Sequence, residues 1–442
     1  MTLHASVLGV VLLGLTGLFL LRDREAGHQR ASQTSGHSAV AMRSVAPTLS
    51  ARWFGDRSWP WSPGLLKSLE RGSSVVVFGP TRSGKTRDVI APILNTWQGS
   101  AIVTSVKDDI VNLTSSRRSA VSQVFRLGLT GESSDIMWDP VLDCDDFKVA
   151  RRVANLLSVS QVGFQTASSE SRFWYTLAER TLAPLLLAAN RMNGGVPLVM
   201  DWISAGSLEP AFERLDPFGD KDARLGLDSL RYWDEKQLSS VLLTLTAVLE
   251  PIVSAIQHLT KAGSLTSVRA LSAGVSPFTI YLISPLSDQR RLAPYFAALN
   301  SLLIDRALAR SGVLGTNKTL VVLDEAANTA PLPELAELAS VGSGLGVLLL
   351  TALQDISQLR TCYGLAANTV VNNHRSKLFL PGISDPETLA LAEALIGDGP
   401  SRLPNLSIRE QPNGTAVLIQ GRTPPRSVRL NARRWPFSRE FR

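Results

Sequence analysis

Residues 74–86 read Ser74-Val75-Val76-Val77-Phe78-Gly79-Pro80-Thr81-Arg82-Ser83-Gly84-Lys85-Thr86. The apolar, β-branched start predicts a short buried strand. The remainder fills every fixed position of GxxxxGK[ST], and the apolar stretch Arg87–Trp97 that follows predicts a helix. The layout has a chemical reason. Glycines let backbone N–H groups curl round phosphate oxygens, and the helix N-terminus adds its positive end. Gly79, Pro80, Thr81, Arg82, Ser83, Gly84, Lys85 and Thr86 are therefore the candidate binding loop for a nucleoside triphosphate, ATP with Mg²⁺. In that role Lys85 reaches the β/γ-phosphates and the Thr86 hydroxyl ligates the metal.

A partner motif lies far downstream. Thr319-Leu320-Val321-Val322-Leu323 predicts a second buried strand, with Asp324-Glu325 at its tip. Two adjacent acids there suit a Walker B pair, Asp324 on Mg²⁺ and Glu325 accepting a proton from the attacking water. A third strand, Gly346–Thr351, ends just before Gln354, whose amide can hold that water or sense the γ-phosphate. Between Glu325 and Gln354 there is no Arg or Lys. Oligomeric P-loop motors often complete the site with an arginine from the neighbouring subunit; if one exists here it comes from elsewhere in the chain, and Arg360 and Arg375 are nearby candidates.

Around these motifs the reading is coarser. Ala101–Thr104 predicts a strand, and Ser105-Val106-Lys107-Asp108-Asp109 is a polar cluster at its end, where ligands collect in a parallel sheet. Met137-Trp138-Asp139-Pro140 reads as a turn. From Asp145 to Gly263 the pattern is helical, in Phe147–Leu157, Glu170–Met192 and Glu235–Leu259. In the last, Leu238, Leu242, Leu245, Leu249, Ile252, Ile256 and Leu259 form one apolar face, and Pro251 predicts a kink. Strand pattern returns at Phe278–Ile283, followed by a helix over Gln289–Arg310. Lys377–Leu380 reads as a strand, and Ser384-Asp385-Pro386-Glu387 as a capping box with Ser384 as the cap. Final strands near Thr415–Gln420 and Ser427–Leu430 flank a Thr423-Pro424-Pro425 turn. The fold class expected is α/β, a P-loop domain with a parallel-type central sheet and an inserted all-α domain.

Composition sets the outer bounds. The chain has 442 residues, 44% hydrophobic, which excludes wholesale disorder. Its two cysteines, Cys144 and Cys362, form no CxxC pair, which excludes a disulfide scaffold and a cysteine zinc site. The formal net charge of +7 resides wholly beyond residue 401, where nine arginines face Glu410 and Glu440. Such a strip suits a polyanion, an anionic membrane face or a solvated tail. At the other end Ala5–Leu21 is an uncharged apolar run, just long enough to cross a bilayer, with Arg22, Arg24 and Arg30 behind it. The positive-inside rule then puts the bulk of the chain in the cytoplasm. A cleaved signal peptide is the competing reading, and the run lacks its basic n-region and small-residue cleavage site. Asp23–Leu49 reads as a flexible tether, and Trp53, Phe54, Trp59 and Trp61 mark the start of folded structure.

GPTRSGKT, then VVLDEAANTAPLPELAELASVGSGLGVLLLTALQDISQL, then NTVVNNHRSKLFLPGISDPET together resemble the TraG/TraD-type coupling ATPases of conjugation and type IV secretion. SVKDD stands where that family has a Lys-Gly-acid motif, with Asp108 in place of the glycine, and MWDP resembles its Trp-Asn-Pro turn. The resemblance implies a RecA-like nucleotide-binding domain over 51–144 and 264–442 and an all-α domain over 145–263. The apolar run and the polar stretch behind it give an expected transmembrane anchor over 1–22 and a linker over 23–50, whereas many relatives carry two membrane helices. The resemblance further implies a membrane-anchored homo-hexamer of the inner membrane that uses ATP and Mg²⁺. Its partners would be single- or double-stranded DNA, a relaxase or other secretion substrate, and the secretion channel. Carried over by match, Lys85, Glu325 and Gln354 are catalytic and Thr86 and Asp324 hold the metal. Two further readings compete. An FtsK-like chromosome pump should append a DNA-reading module, for which the 12 residues after Leu430 are too few. A substrate receptor would use ATP only to assemble.

Overall fold

The computed structural model describes residues 73–128, 136–162, 169–217, 219–259, 264–273, 277–283, 289–314, 318–329, 331–397 and 408–430. The expected anchor, the tether, the expected start of folded structure at Trp53, Phe54, Trp59 and Trp61, and Arg402, Arg433, Arg434, Arg439 and Arg442 lie outside them. The described residues belong to one compact unit.

Eleven strands form one sheet. They are β1 (Val75–Phe78), β2 (Ser100–Ser105), β3 (Gln123–Gly128), β4 (Ile136–Trp138), β5 (Ser264–Thr266) and β6 (Phe278–Ile283). The series continues with β7 (Thr319–Leu323), β8 (Val347–Leu353), β9 (Ser376–Phe379), β10 (Thr415–Gln420) and β11 (Thr423–Arg429). The order is β11-β10-β9-β1-β8-β7-β2-β6-β3-β4-β5. Every pairing from β9 through β5 is parallel, and only β10 and β11 run against their neighbours.

The central strands are buried on both faces, which explains their unbroken apolar runs. Alternation divides the core. Val75, Val77, Ala101, Val103, Leu320, Val322, Leu348 and Leu350 face one side, where α1 (Ala91–Thr96) and α2 (Asp109–Ser119) pack. Val76, Phe78, Ile102, Ile280, Val321, Leu323 and Leu349 face the other, under the larger helical layer.

That layer contains α3 (Phe147–Val162), α4 (Ser169–Arg191), α5 (Val196–Ala205), α6 (Glu209–Arg214), α7 (Lys221–Asp228) and α8 (Glu235–Leu259). No strand lies between 147 and 259 among the described residues. The stretch leaves the sheet after β4 and returns at β5, and these two strands pair, Met137 opposite Leu265. Leu242, Leu245, Leu249, Ile252 and Ile256 of α8 are buried as the periodicity predicts. α8 is also long and apolar enough to cross a membrane by length and composition, and half of its apolar stretch is buried inside the molecule. The remaining helices are α9 (Val268–Leu271), α10 (Gln289–Leu314), α11 (Ala326–Thr329), α12 (Leu335–Val341), α13 (Ile356–Tyr363), α14 (Ala366–Asn373) and α15 (Pro386–Ile396).

Four local expectations are corrected. Thr423-Pro424-Pro425 is no turn but the start of β11, where an edge position needs no inward amide donor; the chain reverses at Gly421-Arg422. Asp385, not Ser384, caps α15, its carboxylate accepting from Thr388 N at 2.8 Å. Glu387 does not return to the cap but accepts from Arg360 at 2.6 Å. Met137-Trp138 lies in β4, and Asp139 caps a 3₁₀ turn, Pro140–Asp143. The Asp139 carboxylate takes Val141 N at 2.9 Å and Val196 N at 3.3 Å, while Asp143 takes Trp138 Nε1 at 2.9 Å and Val268 N at 2.7 Å. Two acids thus tie β4, the start of α5 and the start of α9 into one knot.

Candidate active site

The phosphate loop leaves the C-terminal end of β1 as the sequence requires. Gly84 adopts φ +94, where a Cβ would lie 2.3 Å from Asp88 Oδ2. A Cβ on Gly79 would lie 2.5 Å from Ser83 Oγ and 2.9 Å from Leu380 Cβ, so only glycine fits there. Arg82 also takes a left-handed backbone, φ +66, which turns the loop back on itself. The helix then begins at Lys85, two residues earlier than the apolar pattern shows, as a π-helical segment Lys85–Ile90 leading into α1.

The sheet order brings the distant motifs together. β8 lies between β1 and β7, so the loop after β1, Gln354 after β8 and Asp324-Glu325 after β7 share one edge. Thr86 Oγ1 donates to Asp324 Oδ2 at 2.9 Å across 238 residues of chain. Gln354 Nε2 donates to Glu325 Oε1 at 3.4 Å. Glu325 holds φ +58, a left-handed conformation costly for a non-glycine residue, of the kind that collects at functional sites. Lys85 Nζ donates to the carbonyls of Gly79 at 2.6 Å and Pro80 at 3.1 Å.

Burial controls the charges. Asp324 is 4% exposed, and desolvation lifts its carboxyl to about 6. The Thr86 hydroxyl pulls against that lift, Glu325 adds to it, and Lys85 and Ser105 oppose it. Burial lowers the Lys85 ammonium, and the carboxylates of Asp324 and Glu325 counter it. A crevice with such an acid and base side by side at a strand edge is arranged to receive compensating charge.

One participant was missed. Ser105, fully buried at the tip of β2, donates to Asp324 Oδ2 at 3.3 Å and accepts from Lys107 N at 3.3 Å. Asp324 N in turn donates to Thr104 O at 2.8 Å. The sequence marked a polar cluster there, yet only the β2–β7 pairing shows that Ser105 is the member that touches the acid. Neither arginine candidate enters this chain's own crevice. Arg360 pairs with Glu387 at 2.6 Å, and Arg375 precedes β9 at the opposite edge of the sheet.

The residues suit a phosphate-bound divalent cation. Thr86 and Asp324 supply hard oxygens, and Ser83 Oγ is buried with no hydrogen-bond partner among the described residues. No group of three His, Cys, Asp or Glu forms a protein-only metal site among them. That agrees with Mg²⁺, which takes one or two carboxylates and completes its shell with phosphates and water.

A parallel sheet carrying a glycine loop, an acid pair and a glutamine on one edge defines a P-loop α/β protein, consistent with RecA-like organisation. More narrowly, the chain belongs to the family of type IV secretory system conjugative DNA transfer proteins, whose model matches residues 47–416. It is 23% identical over 373 residues to a conjugal transfer protein TraG of Escherichia coli, covering 76% of this chain and 57% of that protein. It is 26% identical over 393 residues to protein VirD4 of Rhizobium radiobacter, covering 84% and 53%. The chain thus spans little more than half the length of these relatives. Among solved structures, the unbound bacterial conjugative coupling protein TrwB superposes with TM-score 0.64 at 18% identity, over 84% of this chain and 88% of that one. TrwB in complex with ADP and Mg²⁺ gives 0.63 at 17%, over 84% and 87%. The likeness is one of fold.

Proposed function

We propose that this chain is a membrane-anchored ATPase that couples ATP hydrolysis to the recruitment and translocation of DNA, or of relaxase–DNA and protein substrates, into a conjugative or type IV secretion channel. The supporting observation is the Thr86–Asp324 hydrogen bond, which joins the phosphate loop to the acid strand in one crevice. Family membership supplies the process, and TrwB structures holding ADP with Mg²⁺ and a non-hydrolysable ATP analogue supply the ligand by analogy.

In this reading the backbone amides of Gly79–Thr86 cradle the phosphates and Lys85 turns from the Gly79 and Pro80 carbonyls onto their oxygens. Mg²⁺, held by Thr86 Oγ1 and Asp324, would neutralise charge between the β- and γ-phosphates. Glu325 accepts the proton of the attacking water, and Gln354 fixes that carboxylate and senses the γ-phosphate. The helices between 145 and 263 form a domain of their own, and six copies form a ring at the inner membrane with the nucleotide domain in the cytoplasm, anchored by residues 1–22.

The test is turnover with and without single-stranded DNA, alongside particle mass. Lys85→Ala is expected to reduce hydrolysis to background. Hydrolysis that survives the substitution unchanged would sink the reading. Substrate binding with no DNA-stimulated hydrolysis would point instead to a receptor.

A further inference from the structure

The charge of this chain is unevenly distributed, and the fold concentrates it further. The β10–β11 reversal at Gly421-Arg422 meets the residue that opens β9: Gly421 N donates to Arg375 O at 3.2 Å. The Arg375 guanidinium then lies over Gly421, where a Cβ would stand 3.2 Å from its Nε and 3.5 Å from its Nη2. Gly421 has φ +52, so backbone and space both call for glycine. Arg426, on the returning strand, donates through Nη2 to Gln420 Oε1 at 3.3 Å. Arg422 stands exposed in the turn between them, and Arg375 and Arg426 are exposed as well.

These three differ from the arginines that the fold neutralises. Arg87, Arg152, Arg191, Arg231, Arg269 and Arg360 each pair with a carboxylate. Among the described residues, Arg375, Arg422 and Arg426 have none within ion-pair distance. Three exposed guanidinium side chains thus stand beside one turn, with no carboxylate among the described residues to neutralise them. An arrangement of this kind suits closely spaced negative charges, and arginine's planar fork matches phosphate.

Position says which phosphates. β9 runs parallel to β1, Ser376 opposite Val75 and Phe379 opposite Phe78. The turn therefore lies at the far edge of the sheet, roughly 13 Å along the strands from the edge that carries the phosphate loop. It cannot complete this chain's own nucleotide site. Pro424 and Pro425 remove amide donors from the outer strand, so side chains rather than backbone are what this edge presents. No large hydrophobic is exposed between 408 and 430. A membrane-docking surface would be expected to carry one beside its basic residues.

We propose that Arg375, Arg422 and Arg426 form a sequence-independent contact for the phosphate backbone of DNA, separate from the nucleotide crevice. The proposal rests on the DNA-translocating reading above and names the surface that holds the cargo. The test compares the full chain with an Arg375→Ala/Arg422→Ala/Arg426→Ala variant and with the corresponding triple Arg→Lys variant. Binding of a labelled duplex and a labelled single strand is followed by anisotropy across a salt series, and a fluorescent ATP analogue monitors the crevice. The alanine variant should bind DNA at least about tenfold more weakly at moderate salt. Its slope of log affinity against log salt should be smaller by about two, since each lost phosphate contact removes ~0.7–0.9. The lysine variant should keep the slope, and the ATP analogue should bind all three alike. A wild-type chain that binds DNA while the alanine variant matches it in affinity and slope overturns this contact alone. So does an alanine variant that loses only its binding to phosphatidylglycerol vesicles. A wild-type chain that binds no DNA overturns the translocation reading and this contact with it.

Discussion

Two buried aspartates with nearly the same electrostatics keep different company here. Asp139 and Asp324 are 1% and 4% exposed, and desolvation lifts each carboxyl to about 6. Asp139 is met by main-chain amides, Val141 N and Val196 N, which have no other task once the helices have formed. Asp324 is met by side-chain hydroxyls, Thr86 and Ser105, with Lys85 close by. Backbone donors are fixed by the fold, so the acid they hold is architecture. Hydroxyls can rotate and become ligands themselves, so the acid they hold can exchange partners with a cation. A raised carboxyl alone does not mark a site; the kind of donor around it does.

Exchanging each acid for its amide is the strongest way to break this contrast. Asp324→Asn should remove Mg²⁺-dependent binding of nucleotide, a loss of more than about tenfold, with little change in the unfolding midpoint. Asp139→Asn should lower stability by about 1–3 kcal/mol, because an amide turns a donor toward amide donors, and should leave nucleotide affinity intact. Titration calorimetry and urea unfolding together check both. The contrast fails if the two variants give the same pattern.

Acidification sharpens it next. A carboxyl lifted from 3.8 to about 6 binds its proton more tightly in the folded protein, so Asp139 adds stability as pH falls through 6 toward 4. His374 has the opposite sign. It is fully buried, with Nδ1 donating to Val370 O at 2.7 Å and Nε2 2.9 Å from Thr351 Oγ1, and desolvation lowers it to about 4. The unfolded imidazole gains its proton near 6.5 and the folded one only near 4, so stability is lost across that window. Between pH 7 and 4.5, His374→Gln should lose less stability than the parent by roughly 2–3 kcal/mol, and Asp139→Asn should lose about 2 kcal/mol more. Urea midpoints at the two pH values decide this.

The smallest effect expected is at Ser105. Ser105→Ala removes one of the two hydroxyls on Asp324 Oδ2, a long bond worth about 0.5–1.5 kcal/mol. The Mg²⁺ concentration for half-maximal nucleotide binding should rise roughly two- to tenfold, with affinity in EDTA unchanged. Ser105→Thr should restore it. An alanine variant with the parental Mg²⁺ midpoint would remove Ser105 from the crevice.

Much of this was legible in the chain. The central parallel strands β1, β2, β6, β7 and β8 are largely apolar runs and were readable within a residue or two. The glycine loop and the polar tips of two strands marked Lys85, Thr86, Asp324, Glu325 and Gln354 as candidates, and the strand order brings them to one edge. The strands β3, β4 and β5 were not read. β3 mixes Gln123 and Arg126 with its apolar residues, and β4 and β5 have three residues each, too few to show a period. The caps were misplaced for a related reason: Ser384 and Asp385 are both good N-caps, and which is used depends on where the preceding loop sets the first helical turn.

The sequence by itself therefore determined the elements whose cause is local: apolar runs that must leave water, glycines that free a loop, and acids that end a strand. Only the tertiary structure decided which of these meet. Strand order is set by packing of both sheet faces at once, a property of residues hundreds of positions apart. That order places β8 between β1 and β7, puts Ser105 against Asp324, and gathers Arg375 with Arg422 and Arg426 at the opposite edge.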